Sequence, residues 1–290
     1  MKRAAIISFF SFLVAACSLQ AQSKLSVKWE ELTAADFRAA IQQSKGTCLL
    51  PFGILEKHGP HLPLGTDLLN VRHASLQATQ QEYAVVFPQY YFGQIFEAKH
   101  EPGTIAYSME LQFKLLQETT DEMARNGCKK ILIVNGHGGN ESLLPYFAQT
   151  QLDKSHDYVV YVQWGANERP KSASKQDPLD MHAGQSETSN TMISRPDLVH
   201  MDRVNQESGA DQKHDPLPKT VYTGIWWYAR FPDHYSGDGS IATKELGEAG
   251  MKAWINTIEE AIRAVKADDN SLKLQNEFYE KSQHPLDTKQ

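Results

Sequence analysis

Four short apolar runs, Thr47–Leu55, Tyr83–Pro88, Lys129–Asn135 and Tyr158–Gln163, recur along the chain with amphipathic, helix-forming stretches between several of them. Apolar runs this short, bounded by turn residues, read as strands buried on both faces. Ser108 to Asn126 carries Leu111, Leu115, Leu116 and Met123 and closes on Gly127, a helix C-cap residue, directly before Ile131-Leu132-Ile133-Val134. A second long helix is predicted from Ala242 to about Lys266, on the stripe Ala249, Ala253, Ile255, Ile258 and Ile262. Strand, helix, strand in this order predicts an α/β fold whose mostly parallel central sheet is covered by helices on both faces. Ligands in such folds bind beyond the carboxyl ends of the strands. The residues just after each run are therefore where chemistry is expected.

Met1-Lys2-Arg3 precedes thirteen mostly apolar residues ending at Ala16, too few for a bilayer span of about twenty. Residues 1–21 read as an export signal with two processing routes. Val14-Ala15-Ala16-Cys17 resembles a lipobox and would leave a lipid anchor on Cys17, whereas cleavage near Ala21 would release a soluble periplasmic protein. No repeat, low-complexity tract or long linker follows, so one domain over 24–268 and a polar tail over 269–290 are expected. Cys48 and Cys128 each adjoin a buried-strand pattern and are expected as packed free thiols. The formal charge is −6 with no basic block, which argues against a nucleic-acid partner.

The eleven histidines are unevenly placed, several close to Asp, Glu or paired glycines. Directly after the first apolar run stand Glu56 and His58, with Pro60, Pro63 and Gly65 leading to Asp67. Residues two apart in extended backbone project to one side, and a Gly/Pro-rich turn can return Asp67 towards them. Carboxylates and imidazole together suit zinc, manganese or iron, and a bridging aspartate is a common way to build a two-metal hydrolytic centre. A second element, Asn135-Gly136-His137-Gly138-Gly139-Asn140, follows the third run. Its glycines allow close backbone approach, its amides can hold an oxyanion and His137 can ligate, while Walker and dinucleotide spacings are lacking. The third element runs from His182 through Glu187 to Thr188 into a helix predicted to end near Ser194. It supplies a further ligand and a proton-handling group.

Taken together, the three elements resemble the creatininase family of metal-dependent amidohydrolases. The resemblance rests on Glu56-x-His58-Gly-Pro-His-Leu-Pro-x-Gly-x-Asp67, on Asn135 to Asn140 and on His182-Ala-Gly-x-x-Glu187-Thr188, with weaker matches at His100 to Thr104 and Gly237 to Glu245. It implies a three-layer α/β/α sandwich and hydrolysis of a C–N bond in a small cyclic or formyl amide by a metal-activated water. Two divalent ions are implied, zinc or manganese with iron as an alternative, in a homo-oligomer, commonly a hexamer. Carried over, Glu56 and His137 hold one metal, His58 the other, and Asp67 bridges them. His182 is the candidate acid for the leaving nitrogen. Gly138, Gly139 and His100 are implied to contact substrate. The namesake enzyme has a carboxylate where this chain has Gly139, so Glu187 is assigned here as both second-metal ligand and proton-handling group. It also has a tryptophan shortly before the histidine matching His182, and none occurs between Gly165 and Met181, which argues against creatinine itself. Trp164, Trp226 and Trp227 are candidate pocket residues, and Arg169–Asp180 reads either as a lid or as a surface loop. The alternatives are a peptidase of the same family, a catalytically silent metal- or solute-binding protein, and a two-metal phosphoesterase, which the lack of an Arg/Lys clamp in the motifs disfavours.

Overall fold

In the computed structural model, which describes residues 25–163, 179–218 and 220–289, the four apolar runs become β1 (Thr47–Phe52), β2 (Val85–Val86), β3 (Lys130–Asn135) and β4 (Val159–Gln163). Eight helices accompany them among the described residues: α1 (Ala34–Gln43), α2 (Thr66–Ala78), α3 (Met109–Arg125), α4 (Leu143–Thr150), α5 (Gln185–Ser194), α6 (Trp226–Arg230), α7 (Lys244–Ala267) and α8 (Ser271–Gln283). The export signal with Cys17, Trp164 and most of the polar stretch before Asp180 lie outside the described residues.

All four strands are parallel, in the order β2-β1-β3-β4, with Cys48 opposite Val85, Leu49 opposite Leu132 and Ile133 opposite Val162. The crossover from β1 through α2 to β2 runs one way across the sheet; those through α3 and α4 run the other. Right-handed connections then put α2 on one face and α3 and α4 on the opposite face. Helices α5 and α7 pack with α2, completing the expected α/β/α sandwich. The winding direction reverses between β1 and β3, so their carboxyl ends frame the crevice where a doubly wound sheet binds its ligand.

Helix starts follow the sequence chemistry: Ser108 accepts a hydrogen bond from the Leu111 N–H at the start of α3, and Thr243 from the Leu246 N–H at the start of α7. The buried stripe of α7 is rotated from the expected one. It runs through Gly247, Met251, Trp254, Ile258, Ile262 and Val265, and Ala249 faces solvent. Met251 and Trp254 remove far more apolar area from water than alanines can, and that decides the helix's rotation. Part of the expected polar tail is ordered as α8, where the buried Tyr279 donates its hydroxyl proton to the Gln151 carbonyl and Gln275 bonds the Tyr158 carbonyl at 2.9 Å.

The expectation of free thiols is overturned: Cys48 and Cys128 form a buried disulfide with Cα atoms 5.7 Å apart. Cys48 is the second residue of β1 and Cys128 leads into β3. The lateral pairing of these strands joins residues 80 apart in sequence, a proximity that no local pattern records. Closing a loop of that length restricts the unfolded chain, so the Cys48→Ala, Cys128→Ala double variant is expected to lose about 2–4 kcal/mol of unfolding free energy. Urea titration checks this, and an unchanged midpoint would contradict it.

Candidate metal centre and active-site cleft

Beyond β1 the Glu56 N–H donates to the Leu64 carbonyl at 3.0 Å and His58 pairs with Leu62 across a bridge. This tight return delivers Asp67 into the first turn of α2, where a helix N-terminus favours an anion. Gly136 follows β3, and a Cβ there would stand 2.7 Å from the Val71 Cβ. Only glycine lets α2 cross the strand end so closely, which sets Asp67 beside His137. Ala183 takes a left-handed φ of 53° and donates its N–H to the Glu187 carboxylate at 2.5 Å. His182 pairs with Ser236 across a second bridge, bringing the loop after α6, with His234, into the crevice.

Asp67 stands at the middle of the cluster. Its Oδ2 is 2.9 Å from His137 Nδ1, which lies 2.8 Å from Glu56 Oε1. Its Oδ1 is 3.2 Å from His58 Nε2, which lies 3.7 Å from Glu187 Oε2. One carboxylate thus faces two donor sets, Glu56 and His137 on one side, His58 and Glu187 on the other. His182 Nδ1 stands beside the second set, 3.8 Å from Glu187 Oε2.

Two observations show that these sets suit divalent cations. Glu56 Oε1 and Asp67 Oδ2 are buried with no partner other than the His137 Nδ1 they share, and buried carboxylate oxygens so poorly supplied with donors are costly unless a cation engages them. The histidines are also oriented for ligation. Carbonyl oxygens only accept, so proton-bearing nitrogens are fixed at His137 Nε2 by Gln94 O (2.9 Å), at His58 Nδ1 by Glu56 O (3.2 Å) and at His182 Nε2 by Lys57 O (2.8 Å). The opposite nitrogens of His58 and His137 face the carboxylates, as in imidazole ligands anchored through their second nitrogen, while His182 Nδ1 is left facing Glu187.

Without cations the groups titrate one another. Burial alone would lower His58, but Asp67, Glu56 and Glu187 outweigh it and push its pKa up to about 10. His137 is raised in the same way, against burial, by Glu56 and Asp67. Burial disfavours ionised Glu56, yet His137 and His182 hold it well below the usual carboxylate range. Glu187 is pushed up to about 7, by burial first, with His58 opposing and Asp67 adding. His182 lies well below the ordinary histidine value through burial, with Glu56 opposing and His58 adding to the depression.

The cluster forms the floor of a cavity of about 1360 Å³. Gly138 and Gly139 line it, as do Trp226 and Trp227. His100 lines the rim, but its Nε2 bonds the Pro232 carbonyl at 2.7 Å and its ring stands edge-on to Tyr228, so it also buttresses the wall. A Cβ on Gly139 would come within 2.4 Å of His137 Nε2 and 3.0 Å of the Gln94 carbonyl. A side chain there would break into the bond that orients His137. Sequence reasoning missed His234, whose Nε2 is 2.5 Å from Glu56 Oε2. The one available signal was its place three residues ahead of the Gly237 to Glu245 segment.

Comparison with known proteins gives the family and the fold. A family model described as creatininase, creatinine amidohydrolase, matches residues 30–262. The creatinine amidohydrolase of Pseudomonas putida is 24% identical over 261 residues, covering 80% of this chain and 95% of the relative. A mycofactocin precursor peptide peptidase of Mycobacterium ulcerans is 30% identical over 209 residues, covering 69% of this chain and 77% of the relative. A solved manganese form of creatininase superposes with a TM-score of 0.69 at 22% identity, covering 84% of this chain and 100% of that one. A Zn–Zn form of a creatininase variant is also similar.

Two outcomes are expected. A raised histidine stabilises the metal-free protein fully below pH 6.5 and loses that contribution as pH rises towards 10, at about 1.4 kcal/mol per pH unit for each such histidine. The unfolding free energy of chelator-treated protein should therefore fall by roughly 3 kcal/mol from pH 7 to 9 through His58 alone, with His137 adding to the fall, and saturating zinc or manganese should remove the slope; parallel curves would contradict this. Gly139→Glu should weaken divalent-ion affinity by displacing His137, as measured by chelator competition, and tighter binding would show that the position accepts a ligand.

Proposed function

The chain belongs to the creatininase family, and from that premise we propose that it is an exported, metal-dependent amidohydrolase that cleaves a C–N bond. The observation that carries this reading is the Asp67 carboxylate, whose two oxygens face separate donor sets. Glu56, Asp67 and His137 would hold one divalent cation, and His58, Asp67 and Glu187 the other. When bound, such ions supply Lewis acidity and a water acidified to near-neutral pH. Zinc or manganese fits a mixed carboxylate–imidazole set, with iron as the alternative.

The chain's own groups supply the proton handling. His182 is anchored through Nε2 to the Lys57 carbonyl, so Nδ1 is its working nitrogen. Its depressed pKa leaves it uncharged at neutral pH. It therefore begins as an acceptor, taking the proton as water attacks the carbonyl carbon. It then acts as the acid, passing that proton to the nitrogen as the C–N bond breaks. Gly138 and Gly139 line the cavity, and their amides would stabilise the tetrahedral oxyanion, roughly 3–4 kcal/mol for a well-aimed donor.

The cavity exceeds what a five-membered lactam needs. Phe96, Met181, Tyr222, Ile225 and Tyr228 line it while exposing large apolar surfaces. Ligand pockets place such side chains against apolar parts of the ligand. The substrate class is accordingly an amide with a bulky apolar or aromatic portion, which also supports a peptidase-like activity over creatinine hydrolysis. Export is supported by the Met1 to Ala21 pattern and by the Cys48–Cys128 disulfide, which suits an oxidising compartment. The mature form is then periplasmic, or anchored through Cys17. A homo-oligomer remains part of the proposal through the family likeness alone.

Asp67→Ala should lose both cations by elemental mass spectrometry and all turnover on a panel of formyl, cyclic and N-acyl aromatic amides. Metal content unaffected by this variant would overturn the centre. His182→Ala should keep both cations while kcat falls about 10²–10⁴-fold, and full turnover would remove it from the mechanism.

A further inference from the structure

Glu56 uses its two oxygens differently. Oε1 faces His137 and Asp67, with no partner but the His137 Nδ1, whereas Oε2 lies 2.5 Å from His234 Nε2. Behind that imidazole the indole N–H of Trp227 donates to His234 Nδ1 at 2.8 Å. An indole nitrogen can only donate. His234 Nδ1 must therefore carry the lone pair, which places the ring's proton on Nε2, aimed at Glu56.

From this chain of donors we propose that His234 is a positioning residue: oriented by Trp227, it occupies Glu56 Oε2 and so commits Oε1 to the first cation. The proposal rests on the two-cation reading above and concerns a residue outside both donor sets. The same logic removes His234 as a ligand, although Glu56, His182 and His234 present ligand atoms within 4.8 Å of one another. Ligation through Nε2 would move the proton to Nδ1, against the indole N–H. A neutral donor also suits the position, since a lysine or arginine on Oε2 would set a fixed positive charge beside the cation it serves.

The backbone shows the same commitment. His234 holds a left-handed φ of 49°, uncommon for a residue with a Cβ. Its ring is buried, 4.3 Å from that of His182 and 5.7 Å from that of Trp227. Few rotations are open to a ring so enclosed, and the bond to Glu56 sets which one is used.

The test is zinc affinity of the purified full-length protein by chelator competition, for wild type, His234→Ala, His234→Gln, Trp227→Phe and the Ala/Phe double variant. Unfolding midpoints establish that each is folded. His234→Ala is expected to weaken one of the two sites 10–100-fold, as loss of a ligand's hydrogen-bond partner does, and to leave the other within about 3-fold. His234→Gln, which retains an N–H donor, should recover most of that loss. Trp227→Phe should fall between wild type and His234→Ala, and should add nothing in the double variant. Unchanged affinity in His234→Ala, equal losses in the Ala and Gln variants, or additive losses in the double variant would overturn the proposal while leaving the two-cation centre standing. If His234→Ala fails to fold, Trp227→Phe decides: wild-type affinity there overturns the proposal. Wild-type protein that binds no zinc would overturn the two-cation reading for zinc, and this inference with it.

Discussion

Three carboxylates, Glu56, Asp67 and Glu187, converge at one point with no lysine or arginine paired to them among the described residues. Among the described residues, every ion-pair partner of these groups is a histidine. Lys57 lies next to Glu56 in sequence, yet its amine turns away to Glu101 at 3.2 Å and Glu207 at 2.9 Å. Buried negative charge of this density is unstable unless cations balance it. Protons do so through His58 and His137 in the metal-free protein, and divalent ions do so better because they satisfy several oxygens at once. The rest of the site follows from holding those oxygens in place.

The fold meets this demand at the one location where a doubly wound sheet opens. Strands β1 and β3 carry Glu56, His58 and His137 just past their carboxyl ends, and α2 crosses over them to insert Asp67. The amino ends of the same two strands are joined by the Cys48–Cys128 disulfide. The strand pair that carries the cluster is thus locked at the far end from the cleft, where a covalent link does not restrict it. Backbone strain sits on the opposite wall instead, at Ala183 and His234, whose left-handed conformations turn Glu187 and the His234 imidazole inward.

Much of this was legible in the sequence because it is local. The strand runs, the helix over 109–125 and the residues Glu56, His58, Asp67, His137, His182 and Glu187 each lie in a short pattern whose chemistry is carried by spacing. What escaped depends on contacts between distant segments. The disulfide joins residues 80 apart. His234 meets Glu56 across 178 positions, with a lone histidine and ordinary aromatic neighbours as its only local trace. The rotation of α7 turned on the bulk of Met251 and Trp254, while an apolar-position count weights alanine and tryptophan alike. The docking of α8 turned on a single tyrosine hydroxyl reaching Gln151, invisible in a segment of low overall hydropathy. Gly139 was read as a missing ligand; its spacing from His137 and Gln94 shows that a glycine is required there for another ligand to be aimed.

The most direct measurement of the central claim is anomalous diffraction at the zinc or manganese edge from crystals of the metal-loaded protein. The account requires two peaks, one on each side of Asp67, the first against Glu56 and His137 and the second against His58 and Glu187. A single peak, or one seated between Glu56, His182 and His234, would contradict it.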